Sequence, residues 1–123
     1  MLGSNPPNLV AIDLGAESCR VSLLQWRDQG PHIELVHRFS NSPVAIGEEL
    51  HWDLSRILSE IESGLVRCAQ KTSDEISSIG VDGWAVDYVR LDKDGAPIAQ
   101  PFCYRDKRTE SVEADLKRRL SAV

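Results

Sequence analysis

Cysteine is scarce in this sequence, and no two cysteines stand close together. The three present, Cys19, Cys68 and Cys103, are odd in number, and no histidine lies at zinc-ligand spacing from them. A disulfide framework and a zinc site are therefore not indicated. Isolated, reduced thiols are typical of cytosolic proteins, so we expect a cytoplasmic location.

Long apolar runs and positive charge are also lacking. The longest apolar run covers residues 9–12, whereas a membrane-spanning helix needs about 20 predominantly apolar residues. No Lys or Arg precedes Arg20, so the basic start of a secretory signal peptide is missing. With 14 Lys and Arg against 19 Asp and Glu, the net charge of −5 repels a nucleic-acid backbone. We therefore expect neither a membrane nor a nucleic acid as a partner.

The length sets a further limit on function. The 123 residues suit one domain, and 41% apolar with 27% charged residues is an ordinary globular balance. One such domain has no room for two lobes with a cleft between them. We expect a disordered start over residues 1–8 and an incomplete domain over residues 9–123, too short to be a whole enzyme.

The hydrophobic pattern predicts an α/β domain that begins with an antiparallel meander. Three β-like runs joined by short turns lead into an amphipathic helix, a further strand, a hairpin and a final helix. In order, these segments are residues 9–12, 20–26, 33–39, 53–71, 76–81, 86–91 with 97–104, and a helix after Thr109. Residues 40–52 are predicted to form a loop. This order suits a ribonuclease-H-like fold, in which helices pack on a mixed sheet.

The helix faces can be predicted as well. We expect Asp53 to cap the first helix, whose apolar face is formed by Leu54, Ile57, Leu58, Ile61, Leu65 and Cys68. Gly64 interrupts this face and is expected to weaken the helix by about 1 kcal/mol relative to Ala. We expect Thr109 to cap the last helix, with its inward face formed by Val112, Leu116 and Leu120.

The turn between the first two strands is the first candidate site. Gly15 lets backbone amides face a phosphate without an intervening Cβ, while Ser18 offers a hydroxyl donor and Arg20 a cation. Asp13, at the mouth of the first strand, is placed to hold Mg²⁺, usually through water. An ordinary hairpin with a glycine in its turn is the alternative that the pattern leaves open. None of the common glycine-rich nucleotide loops, nor a nucleophile elbow, competes with this turn elsewhere in the sequence.

The second candidate site is the segment of residues 80–88, where Asp82 and Asp87 flank a Gly-Trp-Ala turn. The face of Trp84 can stack on a sugar ring, and a carboxylate can accept from sugar hydroxyls. The equally weighted alternative makes Trp84 a core anchor and Asp87 a solvated strand residue. A third segment, residues 104–108, alternates in charge, and a solvated, salt-bridged surface is the favoured interpretation there.

Taken together, these segments resemble the N-terminal part of the FGGY carbohydrate kinases. The matching positions occur in the family's order and cover residues 9–109. They are residues 10–16 with Ser18 and Arg20, residues 37–39, Trp52-Asp53, residues 78–82, Trp84, Val86-Asp87, Tyr104-Arg105-Asp106 and Arg108-Thr109. The opening Asp-Leu-Gly-Ala is shared with actin-like ATPases, whereas the segments around Trp84 and Tyr104 make the match specific.

The resemblance implies an actin-like ATPase fold with two lobes, and transfer of the γ-phosphoryl group of ATP, with Mg²⁺, to a ketose such as L-rhamnulose. It places Asp13 at the metal. It places the sugar at Ala85, the position after the tryptophan, beside the sugar candidates Trp84 and Asp87. It places the ATP phosphates at the turn formed by Ala16, Glu17, Ser18, Cys19 and Arg20.

Two positions depart from the glycine that is usual in the family. Cys19 is expected to stiffen or displace the phosphate turn, and Ala85 to tighten the sugar pocket. The family's catalytic aspartate and adenosine-binding loops lie in the second half of a longer protein, so no catalytic base is expected in this chain. We therefore expect the isolated chain to be inactive, with the missing C-terminal lobe as its partner.

Two other functions stay open. Asp13 and Asp82 could share metal ions in a ribonuclease-H-like nuclease, although the acidic charge argues against it. The chain could also be a non-catalytic remnant that keeps the fold and only binds a small molecule or a protein.

Overall fold

The computed structural model describes residues 6–121, so most of the start expected to be disordered, residues 1–8, lies outside the described part. The expectation is wrong at Asn8, which is buried and begins the first strand. The strands and helices follow one another in this order: β1 Asn8–Leu14, β2 Ser18–Arg27, β3 Gly30–Ser40, β4 Val44–Ile46, β5 Glu49–His51, α1 Leu54–Lys71, β6 Ile76–Gly83 and α2 Glu110–Leu120. A short 3₁₀ turn, Lys107–Thr109, precedes α2. The chain divides into two compact units, one made of residues up to Ser42 with Ser55–Ala85, the other of Pro43–Leu54 with the residues from Val86 onward.

The first unit is built on a four-stranded sheet in the order β3-β2-β1-β6. The predicted meander is confirmed, because β1 pairs antiparallel with β2 and β2 with β3. β6 runs parallel to β1, and α1 is the crossover that such a connection requires. The fold is thus the mixed-sheet α/β fold that the sequence predicts.

The core of the first unit lies between this sheet and α1. Alternate residues of β1 and β2 face it, and the buried cluster consists of Val10, Ile12, Val21, Leu23 and Cys68. The prediction for the face of α1 is wrong at Leu58, which is exposed. The bounds of α1 agree with the sequence, since the helix begins directly after Asp53.

Gly64 has a different role from the one expected. A Cβ built on Gly64 would lie 2.6 Å from Cγ2 and 2.8 Å from Cβ of Val21. Because no real Cβ sits that close, a glycine lets α1 approach β2 at this point. The intrinsic helix cost of glycine is therefore offset by closer packing of helix on sheet.

The second unit departs most from the sequence predictions. Residues 40–52 were expected to form a loop, but they contain the short antiparallel pair β4 and β5. The hairpin expected over residues 86–104 is present only next to its turn, where Leu91 and Pro97 form an isolated antiparallel bridge. The amides of Asp92 and Ile98 donate there to the carbonyls of Ala96 and Arg90, at 2.8 and 3.0 Å. The turn between Leu91 and Pro97 is real, because the Asp92 carboxylate accepts from the amides of Asp94 and Ala96, both at 2.9 Å.

The final helix also differs in its surroundings. Thr109 occupies the N-cap position of α2 but makes no side-chain capping bond. The face predicted to point inward is exposed, at 55%, 53% and 74% for Val112, Leu116 and Leu120 respectively. Among the described residues, no helix is both long and apolar enough to cross a membrane.

Candidate functional site

The first candidate site lies where β1 gives way to β2. Asp13 and Arg20 are directly opposed in the antiparallel register, so their side chains share one face of the sheet. Arg20 Nη1 donates to Asp13 Oδ2 at 2.5 Å. The two side chains remain 42% and 50% exposed, for Arg20 and Asp13 respectively. The structure thus brings together Arg20, the predicted phosphate-binding cation, and Asp13, the predicted metal ligand. Both lie on a surface that solvent and a ligand can reach.

A second carboxylate lies beside Asp13. Asp82 of β6 is its direct partner in the parallel register, at the carboxyl ends of both strands. Among the described residues, no group of three or more potential metal-ligating side chains forms a cage. Mg²⁺ does not require one, because it usually keeps several waters and binds through one or two carboxylates together with phosphates. The donor set present here therefore fits Mg²⁺.

Gly15 opens the turn between the two strands. A Cβ added to it would lie 2.5 Å from the carbonyl oxygen of Ser18. Within residues 6–121 the glycines with a positive φ are Gly30, Gly47 and Gly95, and Gly15 is not one of them. The turn therefore needs glycine at this position for close approach and not for a left-handed backbone. The tight turn predicted from the sequence is therefore present, and its sharpness depends on Gly15.

Asn41, which the sequence analysis did not single out, holds this turn. Its side-chain amide donates from Nδ2 to the Gly15 carbonyl at 2.9 Å, and its backbone amide donates to the Glu17 carbonyl at 2.8 Å. The residue is only 2% exposed. It directly follows the end of β3. A polar residue just after a strand is the one sequence feature that could have drawn attention to it.

Cys19 lies where the turn passes into β2, and its expected effect on the phosphate turn stays a prediction. Its thiol is buried on the core face of β2 and lies 3.6 Å from the Gly15 carbonyl, to which it donates weakly. Burial raises the pKa of this thiol, and the charge of Asp13 adds to the effect. Only the backbone of Cys19 can thus take part at the turn, because its side chain faces the core.

A second arginine, also missed by the sequence analysis, flanks the turn. Arg38 is opposite Arg20 in the β2–β3 register. Its Nη2 donates to the hydroxyl of Ser18 at 3.2 Å. The sheet thus places two guanidinium groups side by side, one on Asp13 and one on Ser18.

The sugar candidates fall in different parts of the chain. Trp84 and Ala85 directly follow β6 and close the first unit, with Trp84 half-buried and Ala85 exposed. Asp87 belongs to the second unit. Their assignment to a sugar stays a prediction.

In the second unit, Asp87 organises two aromatic residues. Its Oδ2 accepts from the indole Nε1 of the buried Trp52 at 2.6 Å and from the backbone amide of Tyr104 at 3.3 Å. The Trp52 and Tyr104 rings lie 6.4 Å apart between centroids. Asp87 is therefore not the freely solvated strand residue of the alternative interpretation.

Asp106 is the exception to the solvated surface expected over residues 104–108, whose other members are exposed. Its carboxylate is buried and accepts from the amides of Leu50 at 2.7 Å and Arg108 at 2.8 Å. These bonds, that to Leu50 first, hold the pKa of Asp106 below its usual range. The guanidinium of Arg108 in turn lies 4.0 Å from the centroid of the Phe102 ring.

A cavity of about 200 Å³ lies in the second unit, lined in part by Asp87, Tyr88, Arg90, Phe102 and Arg108. Pockets for drug-sized ligands usually measure about 300–1,000 Å³. This cavity is therefore too small to hold a nucleotide.

Comparison with known proteins adds a family and a fold. Residues 8–122 match the FGGY family of carbohydrate kinases, N-terminal domain. The chain is 43% identical over 109 residues to the rhamnulokinase of Pectobacterium atrosepticum, covering 87% of this chain and 22% of that protein. It is 37% identical over 114 residues to the rhamnulokinase of Bacteroides thetaiotaomicron, covering 93% and 23%.

Solved structures resemble the fold at low sequence identity. A gluconate kinase from Lactobacillus acidophilus superposes with a TM-score of 0.71 at 17% identity, over 92% of this chain and 23% of that one. A carbohydrate kinase from Novosphingobium aromaticivorans gives 0.70 at 21% identity, over 94% and 23%. The chain thus spans about a fifth to a quarter of the length of the proteins that it matches.

Proposed function

The chain belongs to the FGGY family of carbohydrate kinases, and we propose that it forms the N-terminal part of an enzyme that transfers the γ-phosphoryl group of ATP to a ketose. The observation that carries the proposal is the convergence of Asp13, Arg20 and the turn opened by Gly15 at the carboxyl end of β1. A carboxylate, a guanidinium and a tight backbone turn are the groups that a phosphate with its metal ion requires.

In this proposal the turn binds the phosphates of ATP. Ala16, Glu17 and Ser18 contribute backbone amides, and the Ser18 hydroxyl and the Arg20 guanidinium add further donors. Cys19 closes the turn from within β2, where it pairs with both neighbouring strands. Arg20 is partly exposed, so its other nitrogens can reach a phosphate while Nη1 stays bonded to Asp13. Guanidinium groups suit this role because their fixed fork of donors matches phosphate oxygens.

Asp13 is the proposed contact for Mg²⁺, with water between carboxylate and metal. The ion would supply charge neutralisation at the phosphates, which is the main electrostatic need of phosphoryl transfer. One oxygen of Asp13 is bonded to Arg20, and this pairing holds the carboxylate at the turn. The residues of the chain thus position the metal and the phosphates relative to each other.

L-Rhamnulose is the proposed sugar. The support is the identity of 37–43% to proteins named rhamnulokinase over nearly the whole chain. Trp84, Ala85 and Asp87 are the proposed sugar-recognition residues, assigned from their positions in the sequence. Asp87 contributes by ordering Trp52 and Tyr104 as well.

We also propose that the isolated chain is inactive. Phosphoryl transfer depends on holding both substrates in line and on a base for the attacking hydroxyl. The phosphate turn supplies neither the base nor an adenosine pocket. The remaining groups must come from parts of the longer protein that this chain does not include.

One observation favours a second function, a two-metal nuclease. Asp13 and Asp82 are register partners at neighbouring strand ends, as two carboxylates sharing metal ions would be. Against this, Arg20 occupies one oxygen of Asp13, and the family match is to carbohydrate kinases. The kinase is therefore preferred.

The test uses the protein encoded by the complete reading frame that carries this chain. Its release of ADP is measured with Mg-ATP and a panel of ketoses, and L-rhamnulose is expected to give the highest kcat/KM. Arg20→Ala should raise the KM for ATP, whereas Arg27→Ala, at the exposed far end of β2, should not. The absence of sugar-dependent ADP release by the unaltered protein would overturn the proposal. Turnover by residues 1–123 alone would overturn only the inactivity of the isolated chain.

A further inference from the structure

Asn41 is a buried polar residue, and the hydrogen bonds that it makes within residues 6–121 go to the turn between β1 and β2. It is 2% exposed, and a buried amide group must find partners. Its side chain bonds to the carbonyl of Gly15 and its backbone amide to the carbonyl of Glu17. A residue 26 positions further along the chain thus fixes both ends of the turn.

The geometry of the peptide bond means that these two contacts also set the directions of two backbone N–H groups, those of Ala16 and Ser18. In a trans peptide the carbonyl and the following N–H point opposite ways, and the described residues contain no cis peptide. Holding the Gly15 oxygen toward Asn41 directs the N–H of Ala16 away from it. Holding the Glu17 oxygen does the same for the N–H of Ser18.

One of these amides is available to a ligand. Within residues 6–121, the N–H of Ala16 donates to no backbone or side-chain acceptor. An outward-facing amide in a turn is the kind of donor that binds an anion. Arg20 and the Ser18 hydroxyl lie at the same turn.

From these contacts we propose that Asn41 is a positioning residue for the nucleotide phosphates. It aims the amides of Ala16 and Ser18 at the phosphate by holding the carbonyls of Gly15 and Glu17. The inference rests on the proposed kinase function and adds to it a residue that touches neither substrate.

Asn8 provides a matched control within the same sheet. It too is a buried asparagine, 5% exposed, and its side chain bonds to the Thr72 hydroxyl at 3.0 Å and to Gln25 at 3.2 Å. Its position at the start of β1 is the opposite end of the strand from the phosphate turn. Replacing Asn8 therefore removes comparable hydrogen bonds without changing the turn.

The experiment compares Asn41→Ala, Asn41→Asp and Asn8→Ala in the complete protein that carries this chain. Calorimetry measures the Kd for a non-hydrolysable ATP analogue, steady-state kinetics give the KM for the sugar, and thermal unfolding gives Tm. Asn41→Ala is expected to raise the nucleotide Kd about three- to tenfold, the effect of one lost hydrogen bond. Asn41→Asp should raise it more, because a carboxylate oxygen then faces the Gly15 carbonyl. The KM for the sugar should stay within about twofold.

Asn8→Ala is expected to lower Tm as Asn41→Ala does, while leaving the nucleotide Kd unchanged. Equal nucleotide Kd values for Asn41→Ala and Asn8→Ala would overturn the positioning role. So would a parallel rise of the nucleotide Kd and the sugar KM, since that indicates a general loss of structure. If the unaltered protein binds no nucleotide, the proposed kinase function itself fails, and this result is distinct from the failure of a variant.

Discussion

Asp13 and Arg20 face each other across the β1–β2 pair, with Arg20 Nη1 2.5 Å from Asp13 Oδ2. Both side chains are about half exposed, and ion pairs in such positions contribute only about 0–1 kcal/mol to stability. The pair therefore adds little to the fold. Its value is the placement of a carboxylate and a guanidinium at the mouth of the phosphate turn.

Asp13→Asn in the complete protein is expected to lower kcat on the order of 10²-fold, as the loss of a group that stabilises developing charge does. Tm should change little, because the exposed ion pair contributes so little to folding. Assays over a range of Mg²⁺ concentrations check the assignment, and a higher Mg²⁺ requirement is expected. Asp28→Asn, in the exposed turn between β2 and β3, is the control and should leave kcat unchanged. An unaltered Mg²⁺ dependence in Asp13→Asn would remove Asp13 from the metal site.

Gly15→Ala should damage the turn, since the new methyl group would lie 2.5 Å from the Ser18 carbonyl oxygen. The turn must then shift, so the Kd for nucleotide is expected to rise about tenfold or more. Calorimetry on the complete protein measures it. Gly80→Ala is the matched control, because nothing lies within 4 Å of a Cβ at that position of β6. If both variants bind nucleotide as the unaltered protein does, the turn does not hold the phosphates.

Gly64→Ala should lower the free energy of unfolding, although alanine is the better helix former. The added Cβ would overlap Val21 at 2.6 Å, and overpacking of this kind costs about 1–3 kcal/mol. Urea denaturation of the complete protein measures the change. Ser63→Ala, on the exposed side of the same helix, should be nearly neutral.

A double variant tests the cause of that destabilisation. Val21→Ala alone leaves a cavity, but in the Gly64→Ala background it also removes the overlap. The two changes should therefore cost less together than the sum of their separate effects. If the two changes in unfolding free energy simply add, the side chain of Val21 is not the reason that position 64 needs glycine.

The parts of the fold that follow a strong periodic pattern could be predicted from the sequence. The meander and α1 have long, regular patterns, and their bounds agree within a few residues. β4 and β5 have only three residues each, too few to show a period. α2 has the expected spacing of Val112, Leu116 and Leu120, but spacing alone does not say what covers a face.

The candidate site was predictable where neighbouring residues form it, and also at Asp82, whose place at a strand end suggested that it lies near Asp13. Asp13 and Arg20 lie on adjoining strands joined by one tight turn, so the sequence brings them together. Asn41 reaches Gly15 across 26 residues, and Asp87 reaches Trp52 across 35. Such contacts depend on the tertiary fold and have no local sequence pattern. The prediction that Asp106 is solvated is wrong for the same reason, because its partner Leu50 lies 56 positions away.

Asp106 gives a prediction about acid stability. Hydrogen bonds from the Leu50 and Arg108 amides hold the pKa of Asp106 below its usual range in the folded state. A depressed folded-state pKa adds stability that is fully present above the unfolded-state pKa and is lost as the pH falls through the folded-state value. The contribution should thus persist at neutral pH and disappear in the acid range below about pH 4.

Asp106→Asn should therefore destabilise the complete protein at pH 7. The difference in unfolding free energy between this variant and the unaltered protein should become smaller as the pH falls toward 3. The amide keeps an oxygen that can accept from one backbone N–H but places an NH₂ group against the second donor. Urea denaturation at a series of pH values measures the difference. Asp94→Asn, in the exposed turn before Gly95, is the control and should show no such trend. A stability difference that stays constant from pH 7 to pH 3 would mean that the ionised carboxylate of Asp106 is not what holds Leu50 and Arg108.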